Sequence, residues 1–444
     1  MRGRHSRRVW IWLIGLLAAT QFAPAADEDF HVFTDSPRLL LTRQRLRLLQ
    51  RERDRQSMRW QRFEDLVTSG AALPEAAVDD ALYYQVAGNA AAGRKAIEWA
   101  LGSSATDLRQ LALVFDWCGR LMSNTQADQL AAKIEHAIGA PRDDLPGQSA
   151  RALAAIAIAD HLKDQGESVL KPLVEQWWRG GADAKLQRGQ EYPLMELLHA
   201  IRDNVNVDLR ESAPAVFKDF PFDQFYGHYP APFRGQDNDF FVPLYAGDSD
   251  PDPQAADWSR AAGLAMVAYD PNYEEVQYLQ GWLMQDRFQM RDALGAAYEF
   301  LWANPYQPGL SYALLPLIFH NPATGHVFAR TSWDEEATWI GYFDGHLQVF
   351  RDGKLETLRA GAAIQPVRVG DAVLLSAPAA EADGTTRFQA STQATIVLGL
   401  EPRSSYDIEV DDEELAEGET DAGGALVIEL PPETQAGVRI RKRP

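Results

Sequence analysis

The hydrophobic period of this chain changes once, and that change limits the folds open to it. From about Pro37 to Asn304 apolar residues recur at helical spacing; from Tyr312 onward they alternate as in strands. Helical patterns run over Arg43–Gln50, with Thr42 as N-cap, and near Arg59–Ser69, Asp79–Ala87, Ala91–Leu101, Asp107–Met122, Thr125–Ile138, Gln148–Leu162 and Ser168–Trp178. Others fall near Glu191–Arg202, Asp257–Val267 and Met290–Trp302. Mostly short connections between consecutive helices predict a toroid or solenoid of antiparallel helix pairs, and no fixed-period repeat is present. Downstream, Val327–Arg330, Ala337–Phe343, Leu347–Arg351, Ala372–Ser376, Ala394–Leu400, Tyr406–Val410, Ala425–Leu430 and Val438–Arg441 read as short strands separated by Gly, Asp and Pro. That pattern predicts an antiparallel β-sandwich. Asp411–Glu414 reads as a solvated turn and Arg439–Arg443 as an edge strand with the terminus.

The first residues read as an export signal. Arg2, Arg4, Arg7 and Arg8 precede the apolar run Val9–Ala19, and Ala23-Pro24-Ala25 has the small-x-small spacing of a cleavage site. Ser6–Trp10 faintly resembles a twin-arginine signal, but Sec export is the expectation. No cysteine follows the run, so a lipoprotein anchor is not expected. The expected division is a signal peptide at 1–25, a toroid at 26–306 and a sandwich at 307–444, in an exported periplasmic or extracellular protein.

Charge and cysteine content narrow the partners. The formal charge is −20, and loss of the four signal arginines makes it −24. Such an excess argues against general nucleic-acid binding and stable association with anionic membranes, and an anionic glycan would need a locally basic cleft. Cys118, the only cysteine, lies in the apolar stretch Leu111–Cys118 (LALVFDWC) and reads as a buried structural thiol. P-loop, dinucleotide-binding, H-E-x-x-H and G-x-S-x-G motifs are all missing, so neither cofactor nor metal is expected. One segment breaks the helical pattern: 217–253 is rich in aromatics, Pro, Gly and Asp, and reads equally as a functional lid or an irregular crossover.

Several pieces occur in an order that is similar to that of the heparinase II/III-like polysaccharide lyases. Ser36–Thr42 (SPRLLLT) looks like the opening of that family's toroid, and Leu111–Trp117 like its second helix pair. The segment 181–192 (GADAKLQRGQEY) resembles the stretch leading into the catalytic-tyrosine helix, with Ala184 where the pattern wants Gly. Gly247-Asp248-Ser249 looks like the family's G-D-S/D turn, and Phe328–Trp333 with Ala337–Trp339 like its first sandwich strands.

The resemblance implies β-elimination on a uronate-containing polysaccharide. A tyrosine of lowered pKa takes the proton α to the carboxylate and returns one to the leaving oxygen, while an amide, His or Arg neutralises the carboxylate. Residue by residue it implies Tyr192 as acid/base, Gln148 as neutraliser and His346 as the sandwich histidine. Each also reads as an ordinary structural residue. His320 and His326, at the helix-to-sheet junction, are possible substitutes. The chain departs from the family at one place. Where active members carry a long loop with closely spaced histidines, Asp344-Gly345 directly follows Phe343, a two-residue hairpin signal that Asp352-Gly353 repeats.

A second reading is a non-catalytic glycan-binding relative with the same scaffold. Trp177, Trp178, Tyr226, Tyr229, Phe240, Phe241 and Tyr245 could stack on sugar faces, with Arg234 beside them. A third is a hydrolase using Asp237 or Asp239 with Asp248. Oligomeric state is not legible.

Overall fold

A computed structural model describes residues 30–140, 142–162, 165–180, 189–235, 239–245, 252–285, 289–358, 366–377, 385–390, 394–411, 413–429 and 436–443. The export-signal residues, Ala184, Asp237 and Gly247–Ser249 lie outside these. No described helix is long and apolar enough to cross a membrane.

The helices are α1 (Arg43–Asp54), α2 (Met58–Thr68), α3 (Ala76–Ala87), α4 (Ala90–Leu101), α5 (Leu108–Cys118), α6 (Asn124–Ile138) and α7 (Leu145–Ala157). They continue with α8 (Gln165–Gly180), α9 (Glu191–Val205), α10 (Pro214–Lys218), α11 (Phe220–Tyr226), α12 (Pro253–Tyr269), α13 (Glu274–Leu283) and α14 (Gly295–Trp302). Thr42, Ser57, Asn89, Asp107 and Ser123 each accept a hydrogen bond from an orphan first-turn N–H, so short polar side chains set the starts.

Packing order makes the helices a ring. α3, α5, α7, α9, α12 and α14 each pack on the next, and α2 closes the circle between α14 and α3. Phe63 of α2 stacks on Phe300 of α14 at 5.0 Å, and Trp60 stacks on Tyr83 of α3 at 5.7 Å. α4, α6, α8, α11 and α13 lie outside this inner ring and pack against it. Small side chains allow the inner helices to approach closely: Ala152, Ala154 and Ala155 of α7 and Ala261, Ala262 and Ala265 of α12 are fully buried. The helical periods of the sequence thus correspond to a toroid, with α10, α11 and α13 in addition.

Beyond the ring lie short strands, mostly joined as hairpins. A two-stranded piece, β1 (Phe233–Arg234) and β2 (Asp239–Phe240), belongs to the irregular segment. The first large sheet is the antiparallel meander β3 (Ile318–Asn321), β4 (His326–Arg330), β5 (Trp339–Phe343), β6 (His346–Arg351) and β7 (Lys354–Leu358). After β8 (Val367–Val369), β9 (Ala372–Ser376), β10 (Thr385–Ala390), β11 (Ala394–Leu398), β12 (Ser405–Val410), β13 (Glu413–Glu419), β14 (Leu426–Glu429) and β15 (Ala436–Lys442), two four-stranded sheets complete the fold. Their orders are β14-β11-β9-β8 and β10-β15-β12-β13.

Strand alternation assigns side chains to three layers of core. In the first sheet Phe328, Trp339 and Phe343 join the helical core, whereas Val327, Ala329, Ile340 and Tyr342 turn the other way and meet Leu374, Ile396 and Leu398. Leu375 and Val397 point from the opposite face of that second sheet to Ile408, Val438 and Ile440 of the third. Among the described residues all strand pairs are antiparallel except β9 with β11, which run parallel. Two local expectations change: Glu413–Glu419 is a strand rather than part of a turn, and β15 lies inside its sheet between β10 and β12 rather than at an edge.

Candidate functional site

The N-terminal ends of α3, α5, α9 and α14 converge on one arginine. Arg109, in the first turn of α5, donates through Nε and Nη2 to both carboxylate oxygens of Glu196 on α9, each at 2.7 Å. Its Nη1 donates to Glu75, the N-cap residue of α3, at 2.8 Å, and its Nη2 to the Tyr298 hydroxyl of α14 at 2.6 Å. Tyr298 in turn donates to Glu75. The guanidinium lies 5.8 Å from the ring centres of both Tyr192 and Tyr298. Glu196 is buried, but the Arg109 and Glu75 side chains keep 17% and 14% of their exposure, so the cluster opens to solvent on their side.

Tyr192 sits one residue into α9, one turn before Glu196. Its ring packs on Trp258 of α12 and edge-on against Tyr298, and its hydroxyl accepts from the Trp302 indole at 3.1 Å. Burial pushes the Tyr192 phenol well above its usual range, and Glu196 pushes it further. Burial likewise raises Tyr298, against the pull of Arg109. Burial opposes the charge on Arg109, but Glu196 and Glu75 outweigh it and hold the guanidinium protonated. One turn past Glu75, buried Asp79 is raised by desolvation and then by Glu75 and Asp80. Beside Trp258, Asp257 is pushed up to about 9, by burial first and then by the neighbouring Asp292 carboxyl.

This arrangement holds protons rather than releasing them. Both phenols are donors at neutral pH, and the one arginine among them is already matched by two carboxylates. A ligand carboxylate would have to displace Glu75 or Glu196 from Arg109 to be neutralised there.

The residues expected from the sequence are dispersed. Gln148 lies in the first turns of α7, where its amide donates to the Asp143 carbonyl at 2.9 Å. His346 opens β6, its ring centre 5.9 Å from that of Phe343. Among the described residues no hydrogen bond or ring contact joins Gln148, Tyr192 and His346. Asp344-Gly345 is the tight turn its residues predict, with φ of 46° and 75°.

The aromatics expected to meet sugar mostly hold elements together. Trp177 is buried and donates to the Leu209 carbonyl; Trp178 is half-buried against the helical core. Tyr226 donates to the Pro316 carbonyl and stacks on Phe319, tying α11 to the first sheet. Tyr229 donates to Gln348 at 2.8 Å and stacks on Phe350. Phe240 is buried, Phe241 packs on Trp282, and Tyr245 is half-buried. Arg234 is 89% exposed and stands 3.9 Å from Asp239, while Asp237 and Asp248 fall outside the described residues.

The junction histidines are bound to carboxylates. His320 meets Asp421 at 2.7 Å; His326 meets Asp223 of α11 at 2.7 Å and Asp344 of the hairpin at 3.6 Å. Among the described residues no group of three His, Cys, Asp or Glu side chains is placed to hold a metal.

Sequence reasoning missed Arg109, Glu75, Glu196 and Tyr298. A signal existed for Glu196: it is a lone acid within the apolar run Leu194–Ile201 (LMELLHAI), where a buried charge needs a partner.

No family model matches the chain, and no curated protein matches it. Among solved structures it is similar to heparinase III, at 10% identity and a TM-score of 0.39, over 83% of this chain and 76% of that one. Heparan sulfate lyase HepC from Pedobacter heparinus aligns at 11% identity and a TM-score of 0.36, over 83% and 75%. A glycoside hydrolase aligns at 10% and 0.34, over 87% and 76%. The relationship is a distant structural one.

Proposed function

We propose that this chain is an exported, lyase-like protein that acts on or binds a uronate-containing polysaccharide at the Arg109 end of its helical ring. One observation carries the reading: an arginine between two tyrosines at a partly open mouth of the ring. Elimination needs a cation for the substrate carboxylate and a phenol near the reacting carbon, and Arg109 with Tyr192 or Tyr298 supplies those groups. Catalysis would require the sugar carboxylate to replace Glu75 on Arg109. The released Glu75 carboxylate would then take the proton α to the sugar carboxylate, and Tyr298 or Tyr192 would donate a proton to the leaving glycosidic oxygen as its bond to carbon breaks. Glu75 would afterwards return the abstracted proton to the phenolate.

A second reading, a glycan-binding relative without activity, is favoured by the same cluster's charge balance. Arg109 is matched by two carboxylates, both phenols are held protonated, and the Asp344-Gly345 turn stands where the resembled family carries its histidine loop.

An unsaturated-uronate absorbance assay over a panel of uronic-acid polysaccharides tests both. Activity lost in Tyr192→Phe or Tyr298→Phe, with an unchanged thermal midpoint, supports the lyase reading. Full activity in both variants sinks the assigned chemistry. No product from any polymer, with uronate binding that Arg109→Gln removes, selects the binding reading.

A further inference from the structure

From the middle of α9 to the C-terminal end of α12 runs a groove of about 710 Å³ whose lining includes none of Arg109, Glu75, Glu196, Tyr192 and Tyr298. Along α12, Trp258 packs on Tyr192 whereas Met266 and Tyr269 line the groove, a separation of roughly 12–16 Å at the helical rise. Its volume falls within the range of small-ligand sites. Met195, Leu198 and Met266 provide an apolar floor, and unbranched methionines adapt to the shape above them. Phe217, Phe220 and Tyr273 form aromatic walls, with Tyr273 41% exposed. Phe217 and Phe220 open the aromatic-rich segment that broke the helical pattern, so this groove gives part of that composition a use.

The charges around the groove define the ligand. Arg210 is held by both oxygens of Asp208, at 3.0 and 2.7 Å, and by Asp270, and it lies over the Tyr269 ring at 4.4 Å. It is therefore not free to receive an anionic group. Glu211 and Lys218 are exposed on the rim with no ion pair among the described residues, one of each sign. The lining carries three carboxylates, Asp208, Asp270 and Glu211, against Arg210 and Lys218. With Arg210 already paired, the rim offers Glu211 and Lys218, one of each sign, a near balance that favours an uncharged ligand over a strongly charged one. A flat molecule with an apolar face and uncharged hydroxyl edges satisfies all of these: its CH face covers Tyr273 and Phe217, and its hydroxyls bridge Glu211 and Lys218.

We propose that this groove binds a short uncharged oligosaccharide, as a site separate from the Arg109 cluster. It requires neither elimination nor a charged sugar, so it stands or falls independently of the uronate reading.

Titration calorimetry and saturation-transfer NMR on the full chain test it, with maltohexaose, cellohexaose, chitohexaose, mannohexaose and a hexauronate as probes. At least one neutral hexasaccharide is expected to bind, with its ring CH protons receiving the strongest transfer. Tyr273→Ala should weaken that binding roughly three- to tenfold, the loss of one aromatic contact, while Tyr192→Phe leaves it unchanged. Tyr273 is exposed enough that its thermal midpoint should hold; Glu211→Gln, which removes only a rim charge, provides a second variant and should weaken binding by a smaller factor. The proposal is overturned if no neutral hexasaccharide binds at millimolar concentration, if binding survives both variants unchanged, or if only the hexauronate binds and Tyr273→Ala reduces it.

Discussion

Arg109 is the residue on which the buried charge of Glu196 depends. Replacing it with Ala leaves Glu196, which is 1% exposed, as a buried carboxylate without its bidentate partner. Breaking a buried pair from one side costs far more than removing both charges, typically ~3–5 kcal/mol. Arg109→Ala should therefore lower the unfolding free energy by about 3 kcal/mol in urea titration, and adding Glu196→Gln should restore part of it. Equal stability of the two variants would show that Glu196 finds another partner. The same residues mark what the sequence could and could not disclose. A local motif put Tyr192 forward as a candidate, and Glu196 was at least conspicuous among apolar neighbours. Glu75, Arg109 and Tyr298 come from helices far apart in sequence, and no local pattern states that ring closure brings them together.

Elements were legible where their signal was local. The start at Thr42 follows from its capping side chain, and the turn at Asp344-Gly345 from its two residues. The β9/β11 pairing was not, because parallel and antiparallel strands share one alternation and differ only in their partners. Gly345 has φ +75° and open space around its Cα, so Gly345→Ala isolates the backbone cost. It should destabilise the protein by roughly 1 kcal/mol without altering Tyr192 or the groove, read by thermal denaturation. The hairpin also belongs to a latch, since Asp344 and Asp223 hold His326 from opposite sides. Burial lowers the affinity of His326 for its proton, but Asp223 and Asp344 more than reverse this and push it up to about 10. A folded-state value above the ordinary value near 6.5 gives stabilisation that is complete below about pH 6.5. That stabilisation fades as the pH rises toward 10. The stability advantage of the wild type over His326→Gln should follow this course in urea titrations at stepped pH; an advantage that grows with pH would refute the latch.

At the scale of the whole molecule, the change of sequence period at about residue 306 does not coincide with a break in the core. Phe328, Trp339, Phe343 and Phe350 of the first sheet belong to the same apolar cluster as the ring helices. Trp339 donates to the Tyr226 carbonyl, Arg330 to the His228 carbonyl, and Tyr229 to Gln348, so backbone and side-chain bonds cross with the apolar contact. The cores of the second and third sheets, by contrast, contain no ring-helix residue among the described residues. Separating 30–306 from 307–444 should therefore injure both halves at one surface, leaving the ring's helices and the outer sheet cores largely built. The helical half is expected to keep its far-ultraviolet helix signal, lose its sharp melting transition and bind ANS, the behaviour of a chain whose secondary structure outlasts its packing. The sheet half, with four large aromatics uncovered on one face, should self-associate. Mixing the halves should restore a cooperative melt if the shared core is the main source of their coupling. Two halves that each melt sharply as monomers, without binding one another, would mean that the ring and the first sheet are stable apart and that the continuous core adds little to either.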